Sequence, residues 1–240
     1  MNRLAKLISN LIRQAVPQKC LSCGVFCEGA LCDECAKKLF GEAMCECPNC
    51  GKRPAMCECV PQILKDAGVT SLKCVFFYDK HSDDISRRVL LRLKTEDSIA
   101  GFELFSSLIA AALGDRSGWI ITNVPRRKSA VLEYGFDQAE RLAREIADII
   151  GCEYKQLFIN TGDSEQKYLN VGQRMEAAKN SYRIKNHNIN GQRILLIDDV
   201  ITSGATTSEC ARLLVQNGAS QVHIAAIARS AGLITEDKHT

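Results

Sequence analysis

Two adjacent carboxylates, Asp198 and Asp199, follow four apolar residues in the run ILLIDDVITSGATT at positions 194–207. Paired carboxylates repel each other, and a charge beside an apolar interior is costly unless something binds it. The next residues are small or carry hydroxyl groups, and at the start of a helix they can donate several hydrogen bonds to one phosphate. This candidate phosphate loop comprises Thr202, Ser203, Gly204, Ala205, Thr206 and Thr207. The run therefore predicts a phosphate-binding site beside two acids.

A phosphorylated sugar fits this pattern best. Its vicinal hydroxyls would satisfy the two acidic side chains, directly or through a hydrated Mg²⁺. We expect a side chain at Gly204 to fill the space that the phosphate needs. The chain has no GxxxxGK[ST] motif, which argues against a P-loop nucleotide site. In the structural alternative, Asp199 caps the following helix and Asp198 is merely solvated.

Cysteines form the second pattern, because ten of the thirteen fall between Cys20 and Cys59. Nothing in the sequence directs secretion, so the spacing indicates metal sites rather than disulfides. One zinc-ligand set is Cys20, Cys23, Cys32 and Cys35, and the other is Cys47, Cys50, Cys57 and Cys59. The second set ends in CxC where CxxC is usual, and Cys45 is a competing ligand. Free or redox-active thiols are the alternative.

Alternating strand and helix patterns follow the cysteine clusters. Strands are expected at 72–79, 118–125, 154–159, 193–198 and 221–228, and helices at 83–94, 102–113, 136–150 and 205–217. This alternation predicts an α/β fold with a mostly parallel sheet covered by helices. Ligands of such sheets bind beyond the carboxyl ends of the strands, where the acid pair lies. Residues 61–71 are expected to be a linker between a module at 1–60 and a second core at 72–240.

The composition sets broad limits. A length of 240 residues and a net charge of +3 allow two domains but do not by themselves indicate nucleic-acid binding. No apolar run is long enough for a membrane helix, which needs about 20 residues. In residues 1–17, apolar residues recur at helical spacing with polar residues between them, which predicts an amphipathic helix that docks on the protein or a partner, with a membrane surface as the least favoured alternative. We expect a cytoplasmic protein.

Several segments together resemble a known family. LLIDDVITSGAT resembles the phosphoribosyl pyrophosphate (PRPP) signature of type I phosphoribosyltransferases. An amino-terminal double zinc ribbon, RLK at 92–94, VP at 124–125, GFDQ at 135–138 and QKYLNVGQRMEAAKNSY at 166–182 occur in the order of the ComF (ComFC) competence family. The sequence departs from the family at Tyr134 and Asp137, where RGFNQ is usual, and at the CxC that ends the second ribbon.

The resemblance implies a fold and further site residues. It implies a type I phosphoribosyltransferase-like, mostly parallel sheet with helices on both faces, plus the amino-terminal zinc-ribbon module. The ligand would be PRPP with Mg²⁺, and the basic loop Arg126, Arg127 and Lys128 would bind its pyrophosphate. A polar stretch at 160–180 corresponds to the mobile loop of the superfamily, with Lys167 and Arg174 as candidates for reaching phosphate. In the alternative, all these cations are simply solvated.

Two functions remain open from the sequence. The resemblance implies a protein of natural competence, active in DNA uptake and transformation, that binds PRPP and either single-stranded DNA or a helicase partner. The alternative is an active phosphoribosyltransferase of nucleotide metabolism, in which Asp198 and Asp199 hold the ribose while an unidentified nucleophile displaces pyrophosphate. Candidate DNA contacts are the cations Arg87, Arg88, Arg92 and Lys94, together with the lysines of the zinc ribbon.

Overall fold

A computed structural model describes residues 18–79, 84–161, 181–185, 187–230 and 232–235. The amphipathic helix expected in residues 1–17 lies outside the described residues, as do Lys167 and Arg174 of the expected mobile loop. None of the helices in the described part of the chain combines the length and apolar character that a membrane span needs.

Strands and helices alternate along most of the chain. The strands are β1 (Gln18–Lys19), β2 (Phe26–Cys27), β3 (Val69–Tyr78), β4 (Ile120–Asn123), β5 (Glu153–Tyr154), β6 (Phe158–Asn160), β7 (Tyr182–Ile184), β8 (Arg193–Ile201) and β9 (Gln221–Ser230). The helices are α1 (Asp33–Ala43), α2 (Gln62–Asp66), α3 (Ile85–Thr95), α4 (Ile99–Leu113), α5 (Lys128–Tyr134), α6 (Gln138–Ile150), α7 (Ala205–Gln216) and α8 (Gly232–Thr235), with a 3₁₀ turn at Pro54–Met56.

The central sheet has five strands in the order β3-β9-β8-β4-β5, and every neighbouring pair is parallel. Strand β8 lies in the middle because its apolar run can be buried on both faces. Leu195 and Ile197 pack into one core with α4 and α6, whereas Ile194 and Leu196 pack into a second core with α2 and α7. The predicted parallel sheet with helices on both faces is therefore confirmed.

Residues 61–71 differ from the expected linker. They contain α2 and the first residues of β3, and Leu64 and Val69 are buried in the second core. The first cysteine cluster is not a separate core either, since Cys20 and Leu21 share a core with Phe102. The sequence prediction missed this because the partners of these apolar residues lie far away in the chain.

A capping interaction also joins the amino-terminal module to the sheet domain. The Glu42 carboxylate, near the end of α1, accepts hydrogen bonds from the backbone N–H groups of Ile85 (2.8 Å) and Ser86 (2.9 Å) at the start of α3. A carboxylate there satisfies N–H groups that have no partner within the helix and interacts favourably with the helix dipole.

The strand expected at 154–159 is divided into two short strands. β5 is the edge of the central sheet, whereas β6 pairs with β7 in a separate two-stranded antiparallel sheet. The chain leaves the sheet between them, where the Leu157 N–H donates to the hydroxyl of Thr122 at 3.3 Å.

Candidate functional site

Asp198 is a buried acid near the end of β8. Its side chain is only 8% exposed and accepts hydrogen bonds from the Asp199 N–H (2.9 Å) and the Thr207 hydroxyl (2.7 Å). Burial raises the pKa of Asp198 well above the ordinary carboxyl range, and the neighbouring charge of Asp199 raises it further. A ligand that donates hydrogen bonds, or a cation, would favour the ionised form.

Asp199 is more exposed than Asp198 and faces a lysine. Its Oδ1 accepts from the Val200 N–H at 2.7 Å, and its Oδ2 lies 3.7 Å from the Nζ of Lys94. Asp199 does not cap α7, because Gly204 occupies the N-cap position. The structural alternative for this residue is therefore wrong, and its second oxygen is directed to a cation at the mouth of a cleft.

The expected phosphate loop runs from the end of β8 into α7. Gly204 adopts φ +72°, a left-handed conformation that favours glycine, and it orients the first amides of α7 along the helix axis. These amides and the positive end of the helix dipole are suited to a phosphate. The hydroxyl proton of Thr207 is already donated to Asp198, so this residue positions the acid rather than contributing its hydroxyl proton to a ligand.

Packing supplies a second reason for glycine at position 204. A Cβ atom there would lie 3.1 Å from Ile63 and 3.7 Å from Leu64, both on α2. Glycine is needed because the backbone has a positive φ and because α2 packs closely against the loop.

The three cations of the basic loop lie in different environments. Arg126 donates from its guanidinium to the carbonyl oxygens of Lys94 (3.4 and 3.5 Å) and Phe136 (3.3 Å). The same guanidinium stacks over the ring of Tyr134, at 4.7 Å from its centroid. Lys128 starts α5 and lines a neighbouring pocket, so Arg126 and Arg127 are the members that line the cleft with the acid pair.

Asp137 has a role that the sequence prediction missed. Its Oδ2 accepts from the Arg126 N–H at 2.7 Å, and its Oδ1 accepts from the Glu140 N–H at 3.1 Å as the N-cap of α6. It thereby holds the basic loop against a helix. Tyr134 supplies the ring on which Arg126 stacks. Tyr134 and Asp137 lie where the sequence departs from RGFNQ, and this departure is the sequence feature that could have indicated their roles.

These elements enclose a cleft of about 320 Å³ at the carboxyl ends of β4 and β8. The acid pair, the phosphate loop, Arg126 and Arg127 line it, together with Lys94, Gln138 and Tyr182. Lys94 and Gln138 belong to RLK and GFDQ, and the Gln138 side chain donates to the Lys94 carbonyl at 2.7 Å. The cleft thus has cations, acids and amide donors within the reach of one phosphorylated sugar.

Two of the arginines proposed as DNA contacts, Arg88 and Arg92, interact with the first cysteine module or with a neighbour at the end of their own helix. The Arg88 Nε donates to Ser22 in the first cysteine module at 3.3 Å, and Arg92 lies close to Gly24 and 3.7 Å from Glu96. These arginines attach α3 to the module, so the structure does not single them out as a DNA surface.

The cysteines assemble into the two expected sets. In each set the four Sγ atoms lie within 4.8 Å of one another, and Cys45 belongs to neither. The Sγ atoms of Cys23 and Cys32 are 3.7 Å apart, and those of Cys50 and Cys57 are 3.5 Å apart. Tetrahedral zinc with Zn–S bonds of about 2.3 Å places sulfur atoms about 3.8 Å apart. Both sets therefore fit a structural zinc ion, and the CxC pair contributes both of its thiols.

Residues 130–239 match the family described as the phosphoribosyl transferase domain. The competence protein ComFC of Streptococcus pneumoniae is 25% identical over 204 residues, which cover 84% of this chain and 89% of that protein. The DNA utilization protein YhgH of Escherichia coli O157:H7 is 27% identical over 148 residues, or 61% of this chain. This chain is similar to ComFC and YhgH, and its residues 130–239 match a phosphoribosyl transferase domain. The match spans 59% of the length of that YhgH protein.

Solved structures of low sequence identity were also found. Glutamine PRPP amidotransferase from B. subtilis is 17% identical with a TM-score of 0.42, and the match covers 57% of this chain and 30% of that chain.

Proposed function

We propose that this protein serves natural competence, in the uptake and handling of DNA, and binds PRPP with Mg²⁺ in the cleft. The observation that carries the proposal is the convergence of Asp198, Asp199 and the phosphate loop in one cleft of about 320 Å³. An acid pair alone or a phosphate loop alone would be compatible with many ligands. Together they fit a ribose that carries a phosphate.

Each part of PRPP has a complementary part of the cleft. The amides at the start of α7 would hold the 5′-phosphate, and Asp198 and Asp199 would accept hydrogen bonds from the ribose hydroxyls. Arg127 and the backbone of the basic loop would hold the pyrophosphate, whereas Arg126 keeps that loop in place through Lys94 and Phe136. Carboxylate oxygens are also the ligands that Mg²⁺ prefers.

The DNA role is supported by the relatives that are named for competence and DNA utilization. We infer that single-stranded DNA, or a helicase that acts on it, is the partner. A cytoplasmic location would suit the two thiol clusters, because a reducing compartment keeps thiols available for metal.

Catalysis is the second candidate function. The cleft retains two acids that could hold the ribose diol and stabilise positive charge at C1. In that reaction a nucleophile forms a bond to C1, the bond from C1 to the pyrophosphate oxygen breaks, and pyrophosphate leaves with both electrons. Release of pyrophosphate on addition of an acceptor, and its loss in Asp198→Asn, would distinguish transfer from binding.

The proposal is tested by two titrations of the full chain. We expect calorimetry with PRPP and Mg²⁺ to give saturable binding, and anisotropy of a labelled single-stranded oligonucleotide to show affinity that falls steeply with salt. If the protein binds DNA but not PRPP, the ligand assignment is wrong. If it binds PRPP but not DNA, the direct DNA role is wrong, and a helicase partner or catalysis is favoured. A pull-down with a purified helicase tests the first of these, and the pyrophosphate assay tests the second.

A further inference from the structure

Arg229, near the end of β9, is buried against the second cysteine cluster. Its side chain is 1% exposed, and its Nη2 lies 3.1 Å from the Sγ of Cys57 and 3.9 Å from that of Cys47. Its Nη1 donates to the carbonyl of Cys59 at 2.6 Å. The guanidinium also lies over the ring of Phe77, 5.0 Å from the centroid. A strand of the sheet domain therefore contributes a cation directly to the cluster.

A buried guanidinium needs a counter-charge. Removing an arginine from water without an anionic partner costs a substantial part of a domain's stability. Among the described residues, no carboxylate forms an ion pair with Arg229. The sulfur atoms of Cys47 and Cys57 are in the place that a carboxylate would take. Four thiolates around one divalent metal carry a net charge of −2, which suits this cation.

The same cluster is connected to the phosphate loop by two routes. Arg229 is opposite Ile201 in the pairing of β9 with β8, and Ile201 immediately precedes the phosphate loop. Cys59 is followed closely by α2, whose Ile63 and Leu64 pack against Gly204. Both the strand end and the helix that support the loop are thus anchored at the cluster.

We propose that Arg229 and a metal ion held by the second cysteine cluster form one unit that positions the phosphate loop. The guanidinium balances the negative charge of the metal–thiolate group, and the metal fixes the entry to α2. Arg229 is a positioning residue, since it acts on the ligand through the cluster and β8. This inference rests on the proposed binding of PRPP, which it makes dependent on the second metal.

The test compares Arg229→Gln and Arg229→Lys in the full chain, with Arg193→Gln as a matched control. Arg193 also stacks on an aromatic ring, but at the amino-terminal end of β8, over Trp119. The proteins are loaded with Co²⁺ and the thiolate-to-metal charge-transfer band is recorded. Metal affinity is then measured by competition with a chelator. Cysteines that lose their metal become open to alkylation, and mass spectrometry of the alkylated peptides shows which cluster released it.

Arg229→Gln should shift the band and weaken metal binding at the second cluster by about 10- to 100-fold, as is usual when a partner of metal ligands is lost. PRPP affinity should fall by about 5-fold or more, within the usual range of coupling between sites. Arg229→Lys should restore part of both, and Arg193→Gln should change neither. If Arg229→Gln leaves metal affinity unchanged, Arg229 and the metal do not form one unit. If metal binding weakens but PRPP affinity is unchanged, the cluster does not position the phosphate loop.

A second measurement covers failure of the Arg229 variants to fold. In the unmodified protein, stepwise removal of the second metal by a chelator should abolish PRPP binding, and added Zn²⁺ should restore it, while circular dichroism reports the fold. Retained PRPP binding after that removal would contradict the proposal. If the unmodified, metal-loaded protein does not bind PRPP at all, the proposed function fails, whereas the metal affinities still decide whether Arg229 and the cluster form a unit.

Discussion

Asp199→Asn is the substitution that separates ligand binding from folding most cleanly. The asparagine oxygen can still accept from the Val200 N–H, which is 2.7 Å from the carboxylate in the structure. The substitution also removes an ion pair with Lys94, whose Nζ lies 3.7 Å away. A pair this exposed contributes at most about 1 kcal/mol, so the fold should remain stable.

The loss in PRPP binding should be larger than this effect on the fold. A hydrogen bond to a charged group contributes about 1.5–3 kcal/mol, compared with about 0.5–1.5 kcal/mol for a neutral one. One ribose hydroxyl loses its charged acceptor, so the difference is roughly 1–1.5 kcal/mol. Because 1.4 kcal/mol is a factor of ten, the dissociation constant should rise about 5- to 12-fold.

Calorimetry with PRPP and Mg²⁺ at fixed salt measures this change, and metal analysis should show unchanged zinc content. Asp115→Asn is the matched control, since Asp115 is on a surface turn, where it accepts from Ser117. It should bind PRPP as the unmodified protein does. If Asp199→Asn binds PRPP as tightly as this control, Asp199 does not contact the ribose, and the acid pair must be explained as structure.

Three further predictions concern the same site and the metal clusters. Protein purified without added zinc should contain about two zinc ions per chain by mass spectrometry, since four thiolates close a structural site; a ratio near zero would contradict the metal assignment. Arg127→Ala should weaken PRPP binding by about tenfold or more, and ribose 5-phosphate binding little, because only pyrophosphate would lose a charged bond; equal calorimetric losses would rule this out. Burial raises the pKa of Asp198, so the folded state retains its proton more strongly than the unfolded chain, and stability falls as pH rises through the folded pKa. Asp198→Asn should therefore lose less stability in denaturant titrations as pH rises through that range, and an equal loss in both proteins would refute the shift.

The sequence predicted the centre of the fold and the two cysteine sets well because those signals are local. The apolar run before Asp198 is typical of a strand buried on both faces, and the alternation around it predicts that its end lies at the ligand-binding edge of a parallel sheet. Metal-ligand spacing likewise predicted which cysteines come together, including Cys57 and Cys59 of the unusual CxC pair. The resemblance added PRPP and the basic loop, which the residue pattern alone did not identify.

The features that the sequence did not predict depend on contacts between distant residues. Arg229 follows the apolar residues of β9, where a cation usually marks the exposed end of a strand, and its burial follows from the position of the second cysteine cluster. Leu64 is buried because α2 meets Gly204, about 140 residues later in the chain. The guanidinium of Arg126 donates to the carbonyl of Lys94, although the resemblance implied a contact with pyrophosphate. Periodicity and spacing contain no information about such partners.

The central claim is that one cleft binds PRPP with Mg²⁺, and calorimetric titration of the unmodified protein with PRPP tests it most directly. With Mg²⁺ present, we expect saturable binding of one PRPP per chain, tighter than that of ribose 5-phosphate and weaker when Mg²⁺ is omitted. The absence of saturable binding of PRPP to the zinc-loaded, folded protein would contradict the claim.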